Sequence, residues 1–376
     1  MNFVLRACAL VLMLCVFVAA PAQTTEKKPV AAAKKASPKA KVAAPPLTSL
    51  TWRGDHCTAR AFMKDMAKDY EASKQGRFVL TPFSTISGLD AVNDGSADLA
   101  GSARPPMPDR AEEKSTNFYP VAWDALVMIT SPKNPVGEVS LKQLHDIYLG
   151  RVTDWSELGG PAGPINLYAV AGPLDGNEYS LRVLLFHHGD QDVAVPRLYV
   201  NVEKLEEGIA IDPHGLGLTT FSAAHANPAL KMLSVEGVSA STVSIADGSY
   251  PLYSTLFLAS REDSTKRADI EKFVQYASSE PALAVLRRHG LVPYAEAPDL
   301  PGKQAERMAY IDARVRPELA TVSVVGAATG TPVSAPVATA DYLTRTAPNA
   351  ATTQEAKDRA ARATADRKNA EAAAGH

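Results

Sequence analysis

The sequence predicts an α/β protein of two lobes, each a parallel sheet with helices on its faces, on three observations. Strand–glycine turn–helix units recur: residues 51–53 lead through Gly54-Asp55-His56-Cys57-Thr58 into a helical pattern, and residues 78–80 lead to a polar loop at 84–88 and a second one. Residues 119–130 (YPVAWDALVMIT) are almost continuously apolar, as a strand buried on both faces requires. Finally, 376 residues at 46% hydrophobic are enough to bury two lobes' worth of core.

The N-terminus reads as a targeting segment. Arg6 precedes an apolar run over residues 7–20, and Ala20-Pro21-Ala22 supplies a small-x-small cleavage site, so residues 1–22 are expected to be a signal peptide cut near Ala22. The run is shorter than the roughly 20 residues of a membrane span, Leu14 is too bulky a neighbour for a lipid anchor at Cys15, and no other segment is apolar enough to span. Export follows, to the periplasm in a Gram-negative cell. Cys8 and Cys15 leave with that segment, so Cys57 stands alone, which excludes an internal disulfide and a cysteine zinc cluster; a lone Cys is ordinarily a packing residue. Residues 23–47 are Ala, Lys and Pro, with Lys27, Lys28, Lys34, Lys35, Lys39 and Lys41 forming a self-repelling linker. A net charge of -2 makes no case for a nucleic-acid partner.

Folded structure is expected from residue 48. Phe62, Met63, Met66 and Tyr70 share one helical face, which is core patterning. The stretch from Ser84 to Pro106 reads as a polar loop, a short helix with Leu89 and Val92 on one face, and a small-residue strand ending Ser102-Ala103-Arg104-Pro105. Helix starts carry unpaired N–H groups and partial positive charge, and Arg offers a planar fork of donors, so this layout suits a small anion. Ser131-Pro132-Lys133-Asn134-Pro135 breaks the apolar strand, and the first crossing between lobes is expected there. Ser140 caps a helix with Leu141, Leu144 and Ile147 inward, Gly150 stops it, and Trp155 anchors the following loop.

The run Asp146-Ile147-Tyr148-Leu149-Gly150-Arg151-Val152-Thr153-Asp154-Trp155-Ser156-Glu157-Leu158-Gly159-Gly160 resembles the second lobe of the phosphate-binding proteins of ABC transporters. Two further stretches, Asp98-Leu99-Ala100-Gly101-Ser102-Ala103-Arg104-Pro105 and Asp247-Gly248-Ser249-Tyr250-Pro251-Leu252-Tyr253, are similar to that family's motifs in the same order, across about residues 48–297. The resemblance implies the periplasmic-binding-protein fold: two α/β lobes, two crossovers and a hinge that closes on the ligand. Lobe one would be residues 48–131 and 250–297, and lobe two residues 132–249. It implies ligand contacts at Cys57 and Thr58 on the first helix start, Thr85 and Ser87 on the second loop, and Ser102 and Arg104 on the third. Each has a bland alternative, since Ser and Thr cap helices and an Arg before two prolines is often solvated.

Lobe two departs from the family. Where the family carries an Arg and then Gly-Ser-Gly-Thr, this chain has Ala171-Gly172-Pro173-Leu174-Asp175-Gly176-Asn177-Glu178-Tyr179-Ser180. An ionised carboxylate against a dianion in a dry cleft costs several kcal/mol at an effective dielectric of roughly 20. Asp175 or Glu178 could instead accept a proton-bearing oxygen of phosphate, which sulfate lacks; Asn177 lies on the same loop.

Other chemistry is not indicated. His187-His188-Gly189-Asp190 has no second pair spaced to complete a metal site, and no nucleophile elbow, phosphate-cradling Gly-Lys-Ser/Thr loop or His-Glu-x-x-His pair occurs. The expectation is therefore a monomeric, non-enzymatic solute receptor without cofactor or metal, which binds phosphate or a related anion for an ABC permease. The alternative is an exported envelope interaction protein on the same scaffold with altered or lost ligand binding. Residues 298–376 read as a largely disordered Ala-rich tail, within which 303–314 is patterned as a helix and 320–326 as a strand.

Overall fold

The computed structural model describes residues 47–170 and 176–316. The expected signal peptide, all but the end of the linker, Asp175, the strand at 320–326 and the rest of the tail lie outside the described residues.

The strands that carry the architecture are β1 (Ser49–Asp55), β2 (Arg77–Phe83), β3 (Leu99–Ser102), β4 (Thr116–Thr130), β5 (Asn166–Val170), β6 (Arg197–Tyr199), β7 (Gly215–Thr220) and β8 (Tyr253–Arg261). They line up as β2-β1-β3-β8-β4-β7-β5-β6. On one side β2, β1 and β3 are mutually parallel, and on the other β6, β5 and β7 are; β8 and β4 run antiparallel between them. The fold is the two-lobe α/β arrangement expected from the sequence. β4 serves both lobes: it pairs with β8 from Thr116 to Ala125 and with β7 from Leu126 to Thr130. The change of partner therefore falls inside the strand, ahead of the 131–135 break expected as the first crossing. We accordingly put the first crossing at Ala125–Leu126 and the return at Leu252–Tyr253, where the Leu126 N–H donates to the Leu252 carbonyl at 2.8 Å.

Helices connect the parallel strands. The first begins at His56–Thr58, widens into a π-helical turn at Ala59–Met63 and continues as Lys64–Ala72 (together α1), burying Phe62, Met63, Met66 and Tyr70 as patterned. α2 (Thr85–Asp94) opens with a reciprocal capping box between Ser84 and Ser87, so Thr85 and Ser87 are helical residues of its first turn, where a loop was expected. α3 (Leu141–Tyr148) has the same device at Ser140 and Gln143 and buries Leu141, Leu144 and Ile147. Trp155 is buried and donates through Nε1 to the His214 carbonyl at 3.0 Å. α4 (Gly176–Phe186), α5 (Val202–Ile211), α6 (Arg267–Ala277) and α7 (Glu280–Arg288) follow. Gly54 and Gly101 face each other across β1 and β3, and a Cβ on either would sit within 2.8 Å of the Trp52 ring or the other backbone, so this ring fixes both as glycine.

Two main clusters hold the lobes: one around Trp52, Phe62, Met66 and Phe273, the other around Leu144, Trp155, Leu181, Leu205 and Leu218. The second also takes in Leu300, Ile311 and Val315. The expected tail thus starts too early at 298, because α8 (Gln304–Val315) has an apolar face that packs on α3 and α4. Trp52 is the largest side chain with no exposed surface. Trp52→Ala should lower unfolding free energy by about 3–5 kcal/mol through cavity formation, read from the midpoint of urea unfolding.

Candidate functional site

The carboxyl ends of parallel strands are where such folds hold ligands, and the expected residues meet there. Asp55 ends β1 and caps α1, with its Oδ1 accepting the Thr58 N–H at 2.7 Å. Its Oδ2 accepts the hydroxyls of Thr58 at 3.0 Å and Thr85 at 3.1 Å, joining the starts of α1 and α2. The Ala103 N–H, beyond β3, donates to Thr85 Oγ1 at 3.4 Å. From the other lobe, α4 brings the Asn177 side-chain amide to Cys57 Sγ at 3.0 Å and the Ser180 hydroxyl to the Ala103 carbonyl at 3.0 Å. A Cβ on Gly176 would lie 2.5 Å from Thr85 Oγ1 and 2.8 Å from the Ala103 methyl, so glycine lets the start of α4 seat against lobe one.

Cys57, Thr58, Thr85 and Asn177 therefore gather in one buried cluster across the lobes. Ser102 and Arg104 are beside it but engaged otherwise. The Ser102 hydroxyl donates to the Arg104 carbonyl at 2.7 Å. The Arg104 guanidinium is fully buried and forks onto Glu113, at 2.5 and 3.0 Å, with the Tyr179 ring 5.4 Å from it. The solvated reading of Arg104 does not hold, because the side chain is buried and its charge is matched by Glu113 inside the lobe. Ser87 spends its hydroxyl on the capping box.

Glu178 is buried in the first turn of α4, with Arg182 at 3.5 Å. Among the described residues neither of its oxygens accepts a well-formed hydrogen bond, and the same holds for Asn177 Oδ1 and the Tyr148 hydroxyl. Burial pushes the Glu178 carboxyl above the ordinary range, with Arg182 and the Val170 amide opposing. Burial also raises Asp55, against the pull of the Thr58 amide and the two hydroxyls. Burial, and then the Glu178 charge, hold the Tyr148 phenol well above its usual range. The arrangement is a dry set of acceptors and hydroxyls, suited to a guest that both accepts and donates hydrogen bonds.

A latch closes the same side. Arg60 on α1 forks onto Glu206 of α5 at 2.8 Å through both nitrogens, and the Thr219 hydroxyl donates to that carboxylate at 2.5 Å. Sequence reading missed Asp55, Arg60, Glu113 and Glu206 as site residues. For Asp55 the signal was present in the Asp-x-x-Thr spacing of a helix cap; for the others the partner is remote in the chain or sits in an irregular turn. His187 is paired with Asp312 at 2.7 Å, and among the described residues no group of three or more His, Cys, Asp or Glu side chains is placed to hold a metal. No described helix is long and apolar enough to cross a membrane.

The strand order and the contacts between the strand ends and α4 define a two-lobed α/β fold with a buried polar cluster between its lobes. A family model described as a PBP superfamily domain matches residues 43–281, and the chain belongs to that family. It is 27% identical over 228 residues to Protein SphX of Synechococcus elongatus, covering 56% of this chain and 66% of SphX, just under two thirds of that relative's length. It is 33% identical over 72 residues to Phosphate-binding protein PstS 2 of Streptococcus agalactiae, covering 19% of this chain and 24% of the relative. Among solved structures it is similar to one from Clostridium perfringens with bound phosphate (TM-score 0.57, 19% identity, 65% of this chain and 99% of that one). It is also similar to an ABC-type phosphate transport receptor from Vibrio cholerae (TM-score 0.53, 20% identity, 65% and 99%). At these identities the structural likeness speaks for the fold.

The raised carboxyl of Glu178 has a definite sign. Its stabilising effect is complete below the ordinary carboxylate pKa of about 4.3 and is lost as pH rises through the higher folded value. The melting temperature of Glu178→Gln relative to the unaltered chain should therefore climb from pH 5 to pH 8 in thermal melts. A difference that stays flat or falls would mean that Arg182 outweighs burial.

Proposed function

We propose that this chain is an exported, non-enzymatic solute receptor that closes its lobes on a small proton-bearing oxyanion, phosphate first, and delivers it to an ABC permease as a monomer. The observation that carries the reading is the convergence of Thr58, Thr85 and the Ala103 amide from one lobe with Asn177 and Ser180 from the other, beside the buried Glu178 of the same helix turn. Cys57 lies against Asn177 within the same cluster, and Asp175 directly precedes Gly176 in the sequence, outside the described residues. Hydroxyls and amides donate to the oxyanion while Glu178 and the Asn177 carbonyl accept its protons, an arrangement that discriminates against sulfate. The printed names of the relatives agree with a phosphate-class solute.

One observation favours a second reading. Asp55 already takes three of the donors, and Glu113 already neutralises Arg104, so an entering anion must displace a carboxylate the protein itself supplies. A scaffold latched in this way can serve as an envelope interaction protein that has given up its small ligand.

Calorimetry on the purified chain separates the two. The receptor reading expects saturable, one-to-one phosphate binding that is tighter at pH 6 than at pH 8, with no heat from sulfate. A cooperatively folded protein giving no heat with phosphate, arsenate, sulfate or small organic anions would leave the second reading standing.

A further inference from the structure

We propose that the chain carries a second small-molecule site, built by its C-terminal extension, for a planar aromatic carboxylate. A cleft of about 380 Å³ is walled by Trp123, Tyr179, Tyr253, Phe257, Tyr294 and Arg307, and Ser180, whose hydroxyl donates to the Ala103 carbonyl, lines its edge toward the first site. That size and makeup, apolar walls with one charged group, are those of a ligand cavity rather than of a packing defect. The rings are already ordered against one another. Trp123 stacks on Tyr294 with centroids 5.1 Å apart and planes at 17°, and Tyr253 meets Trp123 edge-on at 5.7 Å.

The charged group distinguishes this cleft. Arg60, Arg104 and Arg182 each have a carboxylate within 4 Å. Arg307 has none among the described residues: it donates to the Tyr253 carbonyl and to Gln304 Oε1, and its guanidinium lies 4.0 Å over the Tyr253 ring. Burial without a counter-charge lowers its pKa to about 10. A desolvated cation fixed beside aromatic walls is stabilised by any anion that joins it, and the ring face holds it in place until then. An aromatic carboxylate satisfies both parts, its ring sliding against Trp123 and Tyr253 while its oxygens accept from Arg307. The family match ends at residue 281, so Tyr294, Gln304 and Arg307 lie beyond the matched segment, and the ligand class follows from Arg307 and the aromatic walls, which the oxyanion reading does not use.

The probes are benzoate and benzyl alcohol, titrated calorimetrically into the purified full chain with and without saturating phosphate. The expected result is one-to-one benzoate binding, at least tenfold tighter than benzyl alcohol and unchanged by phosphate. Arg307→Gln should weaken benzoate at least tenfold. Thr255→Trp, which fills the cleft while keeping the guanidinium, should abolish binding, and it serves as the decisive variant should Arg307→Gln lose its fold. No benzoate binding at millimolar concentration, equal affinity for the alcohol, displacement by phosphate, or full affinity in folded Thr255→Trp would each overturn the proposal.

Discussion

A buried strand must find a partner for every backbone N–H and C=O, and β4 meets that demand twice along one extended run. Its first part is sealed by β8 and its last part by β7, so the lobes are joined through continuous sheet. The handover is reinforced locally. Asp124, the last residue but one before the switch, accepts hydrogen bonds from the Ala125 and Ser222 amides and the Ser222 hydroxyl. The Tyr250 hydroxyl donates to the Leu126 carbonyl at 2.9 Å. β4 thus changes partner at the level where β8 begins, and this seam joins the two lobes. The same arrangement sets the carboxyl ends of β1 and β3 against the start of α4.

What meets there is governed by charge pairing. Arg104 with Glu113, Arg60 with Glu206, and Arg182 with Glu178 each place a guanidinium and a carboxylate close together inside the fold. Removing one member of such a pair leaves a buried charge, which costs far more than the pair itself contributes. The site is therefore close to neutral, with Asp55 standing where an anion would accept from two hydroxyls and an amide. On the reading proposed above, binding would proceed by exchange, in which the guest takes over donors from Asp55 and offers protons to Glu178. The same reading would fit the absence of the arginine that the family resemblance leads one to expect in lobe two: with Glu178 uncharged or hydrogen-bonded to a proton-bearing guest, a further cation would have no partner.

The elements were legible in the sequence where they depend on short-range patterning. Ser140 and Gln143 announce a capped helix, the apolar run at 119–130 a doubly covered strand, and Leu141, Leu144 and Ile147 one face. The helix at 304–315 was legible as a helix but not as core, since its few apolar residues gain meaning only when α3 and α4 are beneath them. Much of the site depends on pairings that periodicity does not encode. Arg60 finds Glu206 across the lobes, and Arg104 finds Glu113 in a 3₁₀ turn. A guanidinium at a strand end looks the same in sequence whether it faces a ligand or a carboxylate of its own lobe. Asp55 was hidden for the opposite reason: an N-cap aspartate is so ordinary a reason for a carboxylate that its reach to Thr85 went unread.

The C-terminal helix connects these themes. Its apolar face, Ile311 and Val315, belongs to the second lobe's core, and Asp312 and Arg314 tie it to His187 and Glu236. Yet Arg307 and Gln304 reach Tyr253, the first residue of β8 and the partner of Ala125 at the switch. One short helix is thus attached both to a lobe and to the seam beside it. Bending that carried Tyr253 away from lobe two would break a guanidinium–carbonyl bond and part a cation from a ring. These contacts are made by residues beyond the matched family segment, and the cleft under Arg307 lies where they are made.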